Sequence, residues 1–525
     1  MGSQKLIKHA LKLFGILVTL VLALPANAKW YEASTDHFVI YADDSEKDII
    51  RFGENLERYH SALELLTGRK LEKPSPSNRV TIFAVGGSRD IQRLVGSKRV
   101  AGFYIPRAGA SRAFVQDIRN RTGDYPHFSM TVLLHEYAHH FIMSQSRFAM
   151  PLWINEGAAE FFASASFDRD GSVWIGRPAQ HRAGELFYAS NIKVEDLLSY
   201  ERNRENRRRR SDAFYGRSWL LYHYLTLSEE RGGQLAEYTT AIMKGSDPLT
   251  AGETVFGDLD QLQKEVDKYL RQNRIGAFKL PPDWLEIGEV SLRQLSKGEG
   301  KMMDVRIQSQ RGVDAEEAAE LVIDARKIAA EYPNDAGVLT ALAEAEYDAG
   351  NDDAAIAAAD AALAIDPSRS NAYVQKGYAL FRKARDAEDM DAAYKAAMVP
   401  FSQLNAREND HPMPLIYYYR SYVQRGLEPP ENAKFALERA AQLAPFDQDL
   451  WFNVAAMQML EGKIELAMAS LRPLANSPHG GPQSEHAKRY LAALSNQEEG
   501  EPFDPSMVML APEVAADIDA ETDGD

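Results

Sequence analysis

His135-Glu136-Tyr137-Ala138-His139 and, further along, Asn155-Glu156-Gly157-Ala158-Ala159-Glu160 are the residues of this chain whose types and spacing could do chemistry. On a helix, His135 and His139 fall one turn apart on one face, so both imidazoles can reach a single metal ion while Glu136 stands beside them to work on water held there. A third protein ligand leaves one coordination position open, and Glu156 offers it 17 residues after His139. That distance accommodates the rest of one helix, a short turn around Pro151 and a second helix running back against the first. Glu160, one turn beyond Glu156, faces the same way and can accept the outer N–H of a ligating His, fixing its tautomer. His140 points roughly a quarter turn away from the pair and reads as a neighbour only. Alone, the pentapeptide also suits an ordinary amphipathic helix face; the second cluster at workable spacing is what favours chemistry.

The segment Phe128 to Phe162, with HEYAHH followed by PLWINEGAAEFF, resembles the gluzincin branch of the HExxH metallopeptidases, the peptidase MA group with Glu as third ligand. The resemblance implies an α+β zincin-like catalytic domain, a small mixed sheet plus helices. It also implies Zn2+ on His135, His139 and Glu156, Glu136 as general base, and Glu160 as support behind the ligands. The activity implied is hydrolysis of a peptide or protein substrate through a metal-activated water. Gluzincins also use a Tyr or His from a later helix as donor to the tetrahedral oxyanion. In Phe214-Tyr215-Gly216-Arg217-Ser218-Trp219, Tyr215 is the first choice, followed by Tyr222 and His223. Such ligands activate water whatever the leaving group, so a zinc hydrolase acting on another amide, such as cell-wall peptide, stays open. A repeat-based binding scaffold with a vestigial metal site stays open too, although Glu136 argues against it, since a structural site has no use for a general base.

The elements that must position these residues follow from periodicity. Residues 29–277 form the expected catalytic domain. Alternating runs at His37 to Tyr41 and Arg79 to Phe83 predict strands, as do Gly102 to Ile105 and Ser111 to Asp117; Asp44 to Thr67 and Phe128 to Ser144 predict helices. By the resemblance, Ala113 to Gln116 is expected as an edge strand that pairs with extended substrate. Residues 278–312, with Pro281-Pro282 and two short strand-like runs, are expected to be a connector.

From residue 313 to 495 the chain is Ala-rich, and Pro333, Pro367, Pro412, Pro445 and Pro478 recur at intervals of 34, 45, 33 and 33 residues. This is the tetratricopeptide period, with an insertion near Arg385 to Met390, and it predicts an all-α repeat domain of paired helices with each Pro ending a second helix. Such an array receives a peptide or a protein partner on its concave face.

At the start of the chain, Lys5, Lys8 and Lys12 precede the apolar run Leu13 to Leu24 and the small-residue site Ala26-Asn27-Ala28. Residues 1–28 therefore read as a cleavable signal peptide, leaving no stable membrane span and giving a periplasmic or secreted bacterial protein. The chain has no Cys, which an exported fold of this length tolerates by burying sizeable cores. Losing three Lys and no acid with the leader moves the formal charge from −16 to −19. Ten acids lie between Glu498 and Asp525, so residues 496–525 are expected to be an acidic disordered tail, and nothing invites nucleic acid. The run Arg207 to Arg210 reads as a solvated loop, or as a selector of acidic substrate residues.

Overall fold

The computed structural model describes residues 29–96, 100–116, 118, 126–145, 149–199, 213–477 and 481–509; the signal-like segment 1–28, the arginine run 207–210, Pro478 and residues 510–525 of the acidic tail lie outside them. In chain order, β1 (Tyr31–Ser34) and β2 (Phe38–Ala42) lead into helix α1 (Glu46–Thr67), followed by β3 (Val80–Ala84), α2 (Ser88–Val95), β4 (Gly102–Ile105) and β5 (Arg112–Val115). The motif helix α3 (Phe128–Gln145) is followed by α4 (Leu152–Ala163), β6 (Ser166–Phe167), β7 (Val173–Ile175), α5 (Ala183–Tyr188), α6 (Val194–Leu198) and α7 (Phe214–Leu227). Then come α8 (Gln234–Met243), α9 (Pro248–Phe256), α10 (Leu259–Leu270), β8 (Phe278–Leu280), β9 (Ser291–Gln294) and α11 (Lys297–Arg311). The result is a mostly helical chain with a small mixed sheet.

That sheet has the order β4-β5-β3-β2-β1-β9, with β2, β3 and β5 parallel and the other neighbours antiparallel. Its central strands β2 and β3 are buried along most of their length on both faces, as a doubly covered sheet needs, while β1 and β9 carry polar residues. Phe38, Ile40, Val80, Ile82, Ala113 and Val115 face α1 and α3 in the main core. Tyr41, Phe83 and Phe114 face the other way, against Met303 and Ile307 of α11. Their rings stack across the strands, Tyr41 on Phe83 at 5.4 Å and Phe83 on Phe114 at 5.3 Å between centroids. Helix α1 starts where the Ser45 hydroxyl accepts the Asp48 N–H and stops at Gly68, whose φ of 66° suits a residue without Cβ.

Two expectations for residues 29–312 are corrected. The segment Ala113 to Gln116 is not an edge: β5 lies between β3 and β4, because β4 pairs antiparallel with its outer side. The edge strand beside α3 is β4. Residues 278–312 are not a mere connector either. β8 completes a second, three-stranded sheet with β6 and β7, β9 pairs with β1, and α11 covers the aromatic face of the main sheet.

Beyond α11 the chain is a row of helices: α12 (Ala315–Glu331), α13 (Ala336–Asp348), α14 (Asp352–Ile365), α15 (Ser370–Ala384), α16 (Met390–Arg407), α17 (Pro412–Val423), α18 (Glu431–Leu443), α19 (Gln448–Leu460), α20 (Ile464–Ala475), α21 (Pro482–Leu494) and a short α22 (Ser506–Met509). Pro333, Pro367, Pro412 and Pro445 each follow an even-numbered helix of this row, as the period predicts. Small residues let the pairs approach: a Cβ on Gly377 of α15 would stand 2.5 Å from the Phe401 ring of α16. Residues 496–509, expected as the start of a disordered tail, instead fold back on the array. Gly500 N–H donates to Gly462 O at 2.8 Å and Phe503 N–H to Met459 O at 2.8 Å, so backbone pairing and the Phe503 ring outweigh the local acidity. No helix among the described residues is long and apolar enough to cross a membrane.

The array touches the sheet domain through polar contacts. Asn78 is buried at this junction, donating from Nδ2 to Leu443 O at 2.7 Å and accepting the Gly109 N–H at 3.0 Å. The Ala108 N–H donates to Asp447 Oδ2 at 2.8 Å. His140, on the back of α3, accepts or donates with the Tyr104 hydroxyl at 2.7 Å and lies against the Phe446 ring, 4.2 Å between centroids. It is a junction residue, a role that the reading of it as a mere neighbour of the ligand pair did not foresee.

Candidate metal centre

Helices α3 and α4 run back against each other around Pro151, which stands at the N-terminus of α4. A third helix, α7, closes on α4 at Gly157: a Cβ there would stand 2.6 Å from Ser218 O, so only glycine allows this approach. The three helices bring together residues that are far apart in sequence.

His135 Nε2 and His139 Nε2 lie 3.1 Å apart. Glu156 Oε2 stands 3.3 Å from His135 Nε2 and 3.5 Å from His139 Nε2. Glu156 is 0% exposed, and neither of its carboxylate oxygens finds an aligned hydrogen-bond partner. Both imidazoles stand at ion-pair distance, and a buried carboxylate between neutral imidazoles is costly unless a cation completes the group. Ligand atoms at ~2.0–2.1 Å from a tetrahedral ion are separated by roughly 3.3 Å, so the three spacings fit a four-coordinate zinc with one corner left over. The donor set, two imidazoles and one carboxylate, suits the same ion. Among the described residues, no other group of three or more His, Asp or Glu side chains converges in this way.

Glu160 lies where the spacing predicts, with Oε1 3.2 Å from His135 Nδ1, the nitrogen pointing away from the convergence point. Sequence reasoning missed its other partners. His181 Nε2 approaches Glu160 Oε2 at 2.6 Å, and Arg182 donates to Oε1 from Nε at 3.0 Å and Nη2 at 2.5 Å. Both come from a single tight turn just before α5, where no periodicity marks them. Burial opposes the ionised Glu160, yet His135, His181 and Arg182 together hold its carboxyl well below the usual range. Burial likewise disfavours a charged His135, but Glu156 and Glu160 outweigh it and push its pKa up to about 10 in the absence of a metal.

Glu136 is half-buried on the α3 surface that meets β4, near enough to oppose ionisation of Tyr104, whose pKa burial already raises. Tyr215 is half-buried in the first turn of α7, with the Arg182 guanidinium 4.6 Å from its ring centre. Burial raises its pKa and the Glu156 charge adds to that, so the phenol belongs to the same electrostatic neighbourhood as the ligands. The alternatives are spent elsewhere. His223 bonds Gly176 O at 2.7 Å and the Tyr269 hydroxyl at 2.9 Å in the core, and Tyr222 packs on Phe161 at 5.4 Å.

Residues 129–247 match a family described as "Protein of unknown function (DUF1570)"; the match runs from the first turn of α3 to the residue before α9 and takes in every residue of this centre. No curated protein matches the chain. Among solved structures, the chain is similar to a thermophilic TPR protein of Thermus thermophilus, at 16% identity over 37% of this chain and 99% of that chain, with a TM-score of 0.32. It is also similar to MamA (41-end) of Desulfovibrio magneticus RS-1, at 19% identity over 32% of this chain and 90% of that chain, with a TM-score of 0.26.

Proposed function

We propose that this chain is an exported zinc-dependent peptidase with a zincin-like catalytic domain and a tetratricopeptide-type array that receives substrate or a protein partner. The observation that carries the reading is the buried Glu156 carboxylate, 3.3 and 3.5 Å from two imidazole nitrogens and without a hydrogen-bond partner. His135, His139 and Glu156 would hold the ion, which when bound supplies Lewis-acid activation of water and of the scissile carbonyl.

The chain's own groups do the rest. Glu136 takes a proton from the attacking water and delivers it to the leaving amide nitrogen, so that peptide and water become a carboxylate and an amine. Tyr215 donates a hydrogen bond to the oxygen on which negative charge develops; its raised pKa keeps the phenol protonated for that task. Glu160 fixes the His135 ring through Nδ1. β4, an edge strand of the sheet among the described residues, is the strand assigned to extended substrate. The signal-like residues 1–28 support export to the periplasm or exterior.

The experiment is metal analysis of the purified protein together with cleavage profiling of wild type against Glu136→Gln. Stoichiometric zinc in both, with turnover lost only in the variant, is the expected result. An equally active Glu136→Gln removes the mechanism, and stoichiometric zinc retained by His139→Ala removes the ligand assignment.

A further inference from the structure

We infer that Arg182 is a positioning residue that ties the carboxylate behind the metal ligands to the helix carrying Tyr215, so that one guanidinium sets both halves of the site. The inference rests on the metal-site reading above. Glu160 is fully buried, and its Oε1 is shared between His135 Nδ1 and Arg182. The remaining arm of the guanidinium, Nη1, donates to Glu185 Oε1 at 2.7 Å. Glu185 Oε2 then accepts the Gly216 N–H at 3.0 Å, inside the first turn of α7. That turn has no cap from its own N-terminal side chain, Ala213, so Glu185 supplies the acceptor and a favourable negative charge at the helix start. The guanidinium face meanwhile lies on the Tyr215 ring.

The path His135–Glu160–Arg182–Glu185–Gly216 therefore crosses from the ligand helix to the donor helix through three side chains, with no gap longer than 3.2 Å. Only arginine can make it. The route needs a planar fork of donors on two carboxylates and a flat face for the phenol ring, whereas a lysine ammonium is a point charge that satisfies one of the three. The backbone agrees: Gly216 lets this segment close, since a Cβ there would stand 2.9 Å from Leu186 Cγ. Arg182 acts through Glu160, Glu185 and the Tyr215 ring.

The test uses the full chain and zinc alone as the probe, titrated against a competing chelator, with kcat and KM measured separately on one peptide substrate. Arg182→Gln is expected to weaken zinc about 10-fold, the lower end of the cost of losing a group that holds a ligand, because Arg182 acts through Glu160, and to lower kcat further at saturating zinc. Glu185→Ala, which leaves both Arg182 bonds to Glu160 in place and removes the Gly216 acceptor, should keep wild-type zinc affinity and lower kcat with KM unchanged. Arg182→Lys should recover zinc affinity through Glu160 but not kcat, a split that a merely structural role does not produce. Arg182→Lys and Glu185→Ala also decide the matter should Arg182→Gln fail to fold. Wild-type zinc affinity in Arg182→Gln, wild-type kcat in Glu185→Ala, or full recovery of kcat by Lys overturns the inference while leaving the metal reading intact. Folded wild type that takes up no zinc overturns the metal reading itself.

Discussion

Gly157 and Ser218 place the backbones of α4 and α7 in direct contact, with room for a hydrogen and not for a methyl group between them. The residue after the third candidate ligand is thus the point at which the donor helix is held against the ligand helix. Gly157→Ala puts a Cβ 2.6 Å from a carbonyl oxygen that cannot rotate away, so a helix must shift. We expect a loss of ~1–3 kcal/mol, larger than any gain in helix propensity, together with a fall in kcat as Tyr215 moves with α7. Chemical denaturation and steady-state kinetics on the same preparation check it; an unchanged kcat would mean that α7 does not carry the donor.

Tyr215→Phe removes one hydroxyl and keeps the ring on Arg182. Loss of a single oxyanion donor predicts a kcat lower by about 10²–10³ with KM and zinc content unchanged. A variant that cleaves at the wild-type rate would assign the donor elsewhere.

Asn78 is the hinge pin of the two halves, buried and bonded in both directions, to Leu443 O of the array and to the Gly109 N–H of the sheet domain. Asn78→Ala removes two part-buried hydrogen bonds, to the Leu443 carbonyl and from the Gly109 N–H, which predicts a loss of ~1–2 kcal/mol. Differential scanning calorimetry should also show the array and the sheet domain melting further apart than in wild type. Coincident, unshifted transitions would refute a coupling role.

His60 is buried between the His37 ring, stacked at 3.6 Å, and the Tyr137 hydroxyl, 2.7 Å from Nδ1. Burial, followed by the neighbouring His37, lowers its pKa to about 3. The folded chain therefore keeps His60 neutral while the unfolded chain protonates it near 6.5, so its contribution is complete above that pH and is lost as pH falls toward 3. The slope is ~1.4 kcal/mol per pH unit. Urea unfolding of wild type and His60→Gln at pH 7 and pH 5 checks the sign: wild type should lose more stability between the two. Equal losses would show that His60 is protonated in the fold.

Much of this was legible from local pattern. The pair His135 and His139, the return of Glu156 and Glu160 on a second helix, the paired strands and the proline-spaced helices all follow from periods of 3.6, 2 and about 34 residues, which backbone geometry imposes on any chain. Within residues 29–312, three features were not legible. Strand order exchanged the edge from Ala113–Gln116 to Gly102–Ile105, because a strand's neighbour is chosen by long-range pairing. The run 278–312 became two strands and a covering helix because β1 and the Tyr41–Phe83–Phe114 face had surface left to bury. His181 and Arg182 reach Glu160 from a turn with no repeat to betray them.

The sequence by itself determined which side chains could ligate and which helices would carry them, since residue type and helical period are local properties. Only the tertiary structure decided that the buried Glu156 carboxylate lies 3.3 and 3.5 Å from two imidazole nitrogens and that one guanidinium joins Glu160 to the Tyr215 helix. Those are distances between elements, and they are set by what packs at Gly157 and Gly216 rather than by anything a neighbouring residue can dictate.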